Sequence, residues 1–260
     1  MSAPLVSVIT PAYKAVGYLP ATLASVQAQT MPDWEMIVVD DCSPDGTGGL
    51  LARVAREDGR IRAECATVNR GPGPTRNRAL ALARGRYLAF LDADDLWDPV
   101  KLERQIAFME KERIAFSFSA YRVISARGEP LGVVDDIPAL LGYADLLKNT
   151  IVGCLTVVLD REQVGEIAFP PLRSSQDLAL WLAILKRGFV AHGLPEVLAS
   201  YRIVGASNTR NKLGAARDVW ALYRDVERLP LARRGWYFAN YAVRGLRKHL
   251  SSGASAGSRA

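Results

Sequence analysis

The chain is poor in the residues that make redox or zinc centres. Its three cysteines, Cys42, Cys65 and Cys154, are far apart, odd in number and free of any CxxC pair. That spacing argues against a disulfide framework and a cysteine-rich zinc site, and a reducing compartment is the default expectation. Histidine occurs only at His192 and His249, which leaves little room for a histidine-based mechanism. No run approaches the ~18 consecutive apolar residues that a spanning helix needs; Ile151 to Leu159 is the best candidate, at about half that length. The opening MSAPLVSVITPAYK lacks a basic segment before its apolar run and a small-residue cleavage site, so it does not read as a signal peptide. The expected location is the cytoplasm.

What is present is ordinary in amount and uneven in place. Of 260 residues, 49% are hydrophobic and 23% charged, the composition of a folded globular protein. The net charge of +6 belongs to the end of the chain: residues 211–260 carry ten Lys/Arg against three acids, whereas residues 1–210 carry 23 against 24.

Leu5 to Thr10 reads as a buried strand ended by Pro11, Tyr18 to Gln29 as a helix with Leu19, Leu23 and Val26 on one face, and Glu35 to Val39 as a second strand. Strand, helix and strand in forty residues make a βαβ unit, so the sheet starts parallel. Helix is expected over Gly48 to Glu57 and Thr75 to Ala83, with a short strand at Arg62 to Cys65 and the breaker-rich loop NRGPGP between. Tyr87 to Leu91 is the next strand. Asp98-Pro99 signals the start of a helix carrying Leu102, Ile106 and Met109. Ala115 to Val123, Cys154 to Leu159 and Val197 to Ile203 read as further strands and Asp177 opens a helix, so the sheet is open and mixed, mainly parallel. Asn211 to Val226 and Arg233 to Leu250 read as helices, and residues 251–260 as a disordered tail.

Ligands of open α/β sheets bind outside the carboxyl ends of the strands. Three ends here are unusual: Pro11-Ala12-Tyr13, Asp40-Asp41 and Asp92-Ala93-Asp94-Asp95. Carboxylates at that density with almost no local cation suit Mg²⁺ or Mn²⁺, which bind through one or two carboxylates and fill their shell with water and phosphate oxygens. Arg76, which opens a helix after the Gly/Pro loop, has the geometry for a bidentate phosphate contact, although a solvated arginine reads equally well.

These motifs in order, VSVITPAYKAVGYLPATLASVQAQTMPDWEMIVVDDCSPDGT, then NRGPGPTRNRALALARGRYLAFLDADDLWDPVKLERQ, SSQDLALWLAILKRG and SYRIVGASNT, resemble family 2 glycosyltransferases of the GT-A fold over about residues 4–210. The resemblance implies an α/β GT-A domain over 1–210, a basic helical extension over 211–250 and a tail. It implies that Pro11, Ala12 and Tyr13 border a nucleotide base, with Tyr13 the stacking ring. Asp41, and less directly Asp40, would receive a pyrimidine N–H, which favours UDP. Asp92, Ala93 and Asp94 form the DxD motif, Asp92 near the ribose and Asp94 on a Mn²⁺ or Mg²⁺ ion bridging the donor diphosphate, with Asp95 adjoining them. Asp177 would be the general base of a single inverting displacement. Two departures stand out: Gln176 replaces the family's more frequent Glu before the base, and Val204 stands where a His often follows the Tyr-Arg pair.

The extension resembles those of bacterial enzymes that build teichuronic acid or exopolysaccharide, which implies a polyprenyl-diphosphate-linked or other glycan acceptor. In it Trp236, Ala239, Val243, Leu246 and Leu250 recur at 3, 4, 3, 4 spacing among basic residues, the pattern of a helix lying on an anionic membrane at the inner face of the cell. The competing reading packs this helix on its own domain or in a homodimer. Nucleic acid is not an expected partner, for want of a recognition motif. Two other functions fit fewer residues. A haloacid dehalogenase-type phosphatase also has an apolar strand ending in DxD, normally earlier in the chain. A non-catalytic nucleotide- or glycan-binding descendant would account for Gln176 and Val204. A dinucleotide oxidoreductase fits less well still, because PAYKAVG follows the first strand where GxGxxG should be.

Overall fold

The computed structural model describes residues 3–172, 174–204 and 212–254, without the side chains of 212, 213 and 244–254. Four parallel strands form its first half: β1 (Val6–Ala12), β2 (Trp34–Asp40), β3 (Ile61–Cys65) and β4 (Tyr87–Phe90), with helices α1 (Leu19–Gln27), α2 (Thr47–Glu57) and α3 (Pro72–Leu82) between them. There follow β5 (Leu96–Trp97), α4 (Lys101–Glu112), β6 (Phe116–Ser125), β7 (Pro130–Val134), β8 (Leu140–Leu141), α5 (Tyr143–Lys148), β9 (Val158–Asp160), α6 (Arg161–Val164), α7 (Gln176–Lys186) and β10 (Ala191–Ile203). The sheet runs β3-β2-β1-β4-β9-β6-β10-β5, with β7 beside β6 and β8 beside β10. Strand β9 is antiparallel to both β4 and β6, and β10 returns parallel to β6, giving the open mixed sheet the sequence implied.

Successive residues of a strand point to opposite faces, and the core divides accordingly. Val6, Val8, Met36 and Val38 face one cluster with Leu19, Leu23 and Ile106; Ile9, Ile37 and Val39 face the other with Trp181. Trp181 packs with its centroid 5.3 Å from Phe90 and 5.4 Å from Phe116. At the other end of the strands, Glu35 is buried where β2 begins. It accepts from Ser7 Oγ at 2.8 Å and from Arg84 N, Nε and Nη2 at 2.8, 3.0 and 2.7 Å. Gly85 lies against this network, and a Cβ there would fall 2.6 Å from Ser7 N.

Several expectations move. Strand β1 runs through Pro11 to Ala12 because β4 pairs with it only as far as Ile9, so the missing N–H costs no ladder bond on that side. Helix α3 starts at Pro72, three residues early, with two prolines in the first turn, where backbone N–H groups have no partner to lose. Cys154 to Leu159 is not one strand: Cys154–Thr156 is a 3₁₀ turn closed by Thr156 Oγ1 donating to Gly153 O at 2.7 Å, and β9 begins after it. Helix α4 begins at Lys101, and β10 starts six residues before the expected Val197, passing Pro195 with shifts of register.

The end of the chain forms α8 (Lys212–Ala221), a π-helical turn at Leu222–Val226 and α9 (Leu231–Ala254). Asn211 and residues 255–260 lie outside the described residues, and Ser251–Ala254, expected to be disordered, continue α9. Val219, Leu222 and Tyr223 join the Trp181 cluster, and Tyr237, Phe238 and Tyr241 pack against it. Glu227, buried, accepts from Lys186 Nζ at the end of α7 (2.6 Å) and from the Tyr143 hydroxyl at the start of α5. Among the described residues no helix is long and apolar enough to cross a membrane.

Candidate active site

The strand ends converge where β1 parts from β4. Leu91 N still donates to Ile9 O (3.1 Å), after which β1 follows β2 and Asp41 N donates to Ala12 O at 2.8 Å. This is the topological switch point of the sheet, where a crevice is expected. Pro11 is half-buried, Ala12 buried and Tyr13 47% exposed, with the Lys14 ammonium 5.3 Å from its ring centroid. Lys14 is held in a left-handed conformation (φ 52°), and its N–H donates to Ser43 Oγ at 2.9 Å.

The buried Asp40 accepts from the Ser43 hydroxyl and backbone N–H, so it shapes the turn after β2. Asp41 takes two backbone donors with its carboxylate, Arg70 N at 2.9 Å and Gly71 N at 2.7 Å. It thereby fixes the Gly/Pro loop and lines a cleft of about 290 Å³ with Val39, Thr67, Val68, Arg70 and Pro74. A carboxylate offers about four lone-pair sites, so two remain for a ligand donor.

Asp92, Ala93, Asp94 and Asp95 form a turn closed by Asp95 N donating to Asp92 O at 3.1 Å. The Thr22 hydroxyl pins it from α1, reaching Ala93 O (3.0 Å) and Asp95 O (2.9 Å). The four residues have different environments. Asp92 pairs with Arg76 Nη2 and keeps a third of its side chain exposed. Ala93 is buried. Asp95 is 1% exposed, and its Oδ1 accepts from Arg202 N at 2.7 Å, which ties the turn to β10. Burial, followed by the charges of Asp94 and Asp92, raises its carboxyl well above the usual range. Among the described residues no other residue is seen to hydrogen-bond the Asp94 carboxylate; burial and then Asp92 push its carboxyl up to about 6, against its own backbone N–H and the charges of Arg202 and Arg76.

Arg76 is not where a diphosphate contact would need it. Its side chain is 5% exposed and lies beneath the site, with Nη2 on Asp92 and the guanidinium 5.3 Å from the Phe169 ring. Burial opposes its charge, but Asp92, with Cys154 and Asp177 behind it, raises its pKa further. With its amide turned to satisfy both ends, Gln176 accepts from Arg76 Nη1 (3.1 Å) and donates to Leu172 O (3.1 Å). The buried Arg76 is a structural cation shared by Asp92 and the start of α7.

Ser175 adopts a left-handed conformation (φ 54°) that turns the chain into α7 and brings Asp177 to the first turn of the helix. The helix terminus lowers carboxylate basicity. Burial is nevertheless the largest influence on Asp177, exceeding the opposing Arg76 charge and the Leu178 N–H, and the carboxyl ends above its ordinary value.

Among the described residues no three His, Cys, Asp or Glu side chains converge into a cage for a metal. The donor set fits a different kind of site. Asp94 has no ion pair among the described residues, its nearest cations are spent on Asp92 and on backbone carbonyls, and burial, then the Asp92 charge, raises its pKa. A hard divalent ion that takes one or two carboxylates and completes its shell from a diphosphate matches that arrangement.

The sequence reading missed Thr22, Ser43 and the role of Arg202, whose Nε donates to Asp94 O (2.7 Å) and Nη1 to Ala126 O (3.1 Å). Only Thr22, a polar residue on the apolar face of α1, carried a visible signal.

The glycosyl transferase family 2 model matches residues 7–149. The chain belongs to glycosyl transferase family 2. It is 49% identical to a Bacillus subtilis (strain 168) glycosyltransferase, TuaG, provisionally named for teichuronic acid biosynthesis, over 95% of this chain and 98% of that one. It is 38% identical to the Escherichia coli WfgD, named a UDP-Glc:alpha-D-GlcNAc-diphosphoundecaprenol beta-1,3-glucosyltransferase, over 94% and 95%. Two solved structures share the fold at 20% identity. They are S. aureus TarS 1–349 in complex with UDP-GlcNAc (TM-score 0.69, covering 98% of this chain and 76% of that one) and the Pyrobaculum calidifontis mannosyltransferase PcManGT with GDP-Man and Mn²⁺ (0.68, 100% and 77%). The GT-A expectation is met, the protein is a glycosyltransferase, and the phosphatase reading drops out.

Proposed function

We propose that this glycosyltransferase transfers a sugar from a UDP-sugar, with inversion and with the help of Mn²⁺ or Mg²⁺, to a polyprenyl-diphosphate-linked glycan in bacterial cell-surface polysaccharide synthesis. The observation that carries the proposal is the gathering of Asp92 and Asp177 around one buried cation, Arg76, with the carboxylate of Asp94 next to that of Asp92, at the switch point of the sheet. In this reading Tyr13 stacks on the base, Asp41 receives its N–H, Asp92 meets the ribose and Asp94 holds the ion. When bound, the ion neutralises charge on the departing diphosphate. Asp177 takes the proton of the acceptor hydroxyl as the oxygen attacks the anomeric carbon, and burial, which raises its carboxyl above the ordinary value against the Arg76 charge, makes it a stronger base than a free carboxylate. One displacement needs no covalent intermediate. The name of WfgD supports the UDP donor and the polyprenyl-diphosphate-linked acceptor, and that of TuaG supports cell-surface polysaccharide synthesis; in this reading the enzyme works at the inner face of the membrane.

The test is a thermal-shift titration with UDP, GDP, TDP, CDP and ADP, each with Mn²⁺ or EDTA, followed by turnover of UDP-sugars. A shift with UDP that needs Mn²⁺ is expected, because a ligand of the native state raises its midpoint. No shift with any nucleotide would overturn the donor assignment and favour the non-catalytic reading.

A further inference from the structure

Helix α9 has two apolar faces, and the structure uses only one of them. Tyr237, Phe238 and Tyr241 pack on the catalytic domain, Phe238 edge-on to Trp220 with centroids 5.1 Å apart. The other face carries the stripe spaced 3 and 4 residues apart. Trp236 is 53% exposed, Val243 48% exposed, and Ala239 between them is exposed too. Packing on the domain therefore accounts for the helix and leaves this stripe unexplained. Leu231, at the start of α9, adds a further exposed apolar side chain.

We propose that this outward face of α9 docks on an anionic lipid surface. The charge around it selects the occupant. The sequence of residues 231–250 has five Lys/Arg and not one acid. Arg233 is exposed, and Lys148 of α5, paired with Asp145 at 3.4 Å, stands 5.5 Å from the Trp236 ring, whereas Arg234 turns inward onto Trp220 and Leu229 O. A second copy of the helix would bring a segment with five Lys/Arg and no acid of its own against the same segment. An anionic headgroup layer instead meets the cations while its acyl boundary takes the apolar stripe. Tryptophan suits that boundary because its ring is largely apolar and its N–H finds a partner at the wet edge. A nucleic acid would satisfy the cations and leave Trp236 and Val243 in water. The proposal deepens the lipid-linked acceptor reading and rests on it for its biological purpose, since it names the surface by which the enzyme reaches such an acceptor.

The test uses the full chain and vesicles that contain no acceptor, so its outcome is separate from turnover. Flotation with phosphatidylcholine vesicles and with vesicles of phosphatidylcholine and phosphatidylglycerol at 7:3 is compared at low salt and at high salt. Binding only to the anionic vesicles is expected, with loss at high salt. The Trp236→Ser/Val243→Ser variant should bind at least about ten-fold more weakly, and Arg233→Gln to a smaller degree. Both positions are exposed, so the circular dichroism and the UDP-dependent thermal shift should match the wild type. Equal binding to neutral vesicles, or anionic binding unaltered in the double variant, would overturn the proposal. So would a dimer in sedimentation that the double variant dissolves. Vesicle binding without turnover would leave the surface standing and count against the acceptor reading alone.

Discussion

Replacing Asp94 by Asn is expected to stabilise the metal-free protein while abolishing its metal-dependent hold on a nucleotide. Burial, and then the Asp92 charge, raise the Asp94 carboxyl from 3.8 to about 6. A carboxyl with a higher pKa folded than unfolded binds its proton preferentially in the native state, so the native state loses stability as pH rises through that interval. At about 1.4 kcal/mol per unit, the ionised group costs the free protein at most about 3 kcal/mol above pH 7. The side chain keeps some contact with water, and screening reduces this to about 1–2 kcal/mol. For a chain of this size the neutral amide should raise Tm by about 3–6 °C. The assay is thermal unfolding in EDTA at pH 7.5 and pH 5. The gain should fall to about half at pH 5, where the wild-type carboxyl is largely protonated in the native state and only the unfolded chain has ionised. Adding Mn²⁺ and UDP should then raise the wild-type midpoint and leave the variant unmoved. An Asn variant that is less stable at pH 7.5, or equally stabilised at both pH values, would refute the reasoning.

Asp177→Asn should lower turnover by about 10²–10⁴-fold and preserve the UDP-dependent thermal shift, because the group acts on the acceptor proton; loss of both together would contradict its role as base. Gln176→Glu places a carboxylate beside Arg76 and close to Asp177, so the Asp177 pKa rises and the acid limb of the pH–rate profile moves to higher pH, measurable in kcat between pH 5 and 8. Gly85→Ala forces a Cβ to within 2.6 Å of Ser7 N and 2.7 Å of Val6 C, both backbone atoms, and should cost about 1–3 kcal/mol in urea unfolding.

The first half of the fold was legible because its signals are local. Val6, Val8 and Ile9 and then Met36 to Val39 are buried on both faces and read as continuous apolar runs, and the acids after them mark strand ends. The elements that escaped depend on partners distant in sequence. Leu96–Trp97 is a strand only because Ser200 and Ala199 lie alongside, and β7 and β8 likewise borrow their register from β6 and β10. The turn at Cys154–Thr156 resembles a strand in composition, yet the Thr156 carbonyl is taken by Gln105 Nε2 at 2.9 Å from α4, an interaction no local pattern encodes. Among the candidate site residues the carboxylates were visible as motifs. What distinguished Asp94, without an ion pair among the described residues, from Asp95, bonded to Arg202 N across more than a hundred residues, was tertiary. Arg76 was named for the right neighbourhood, but the burial that turns its guanidinium onto Asp92 has no signature in sequence.

The buried Glu227 bears on how this enzyme can be recombined with its relatives. Its carboxylate joins the end of α7, whose other end carries Asp177, to the start of α5, while Val219, Leu222 and Tyr223 fill space beside Trp181. The helices after residue 211 are thus not a detachable module. A chimera that exchanges them without also exchanging Tyr143, Lys186 and the side chains facing Tyr223 would leave the Tyr143 hydroxyl and the Lys186 ammonium without the carboxylate they share and set foreign side chains into the space beside Trp181. Moving the C-terminal helices between family members therefore means moving α5, α7 and those helices as one inherited block.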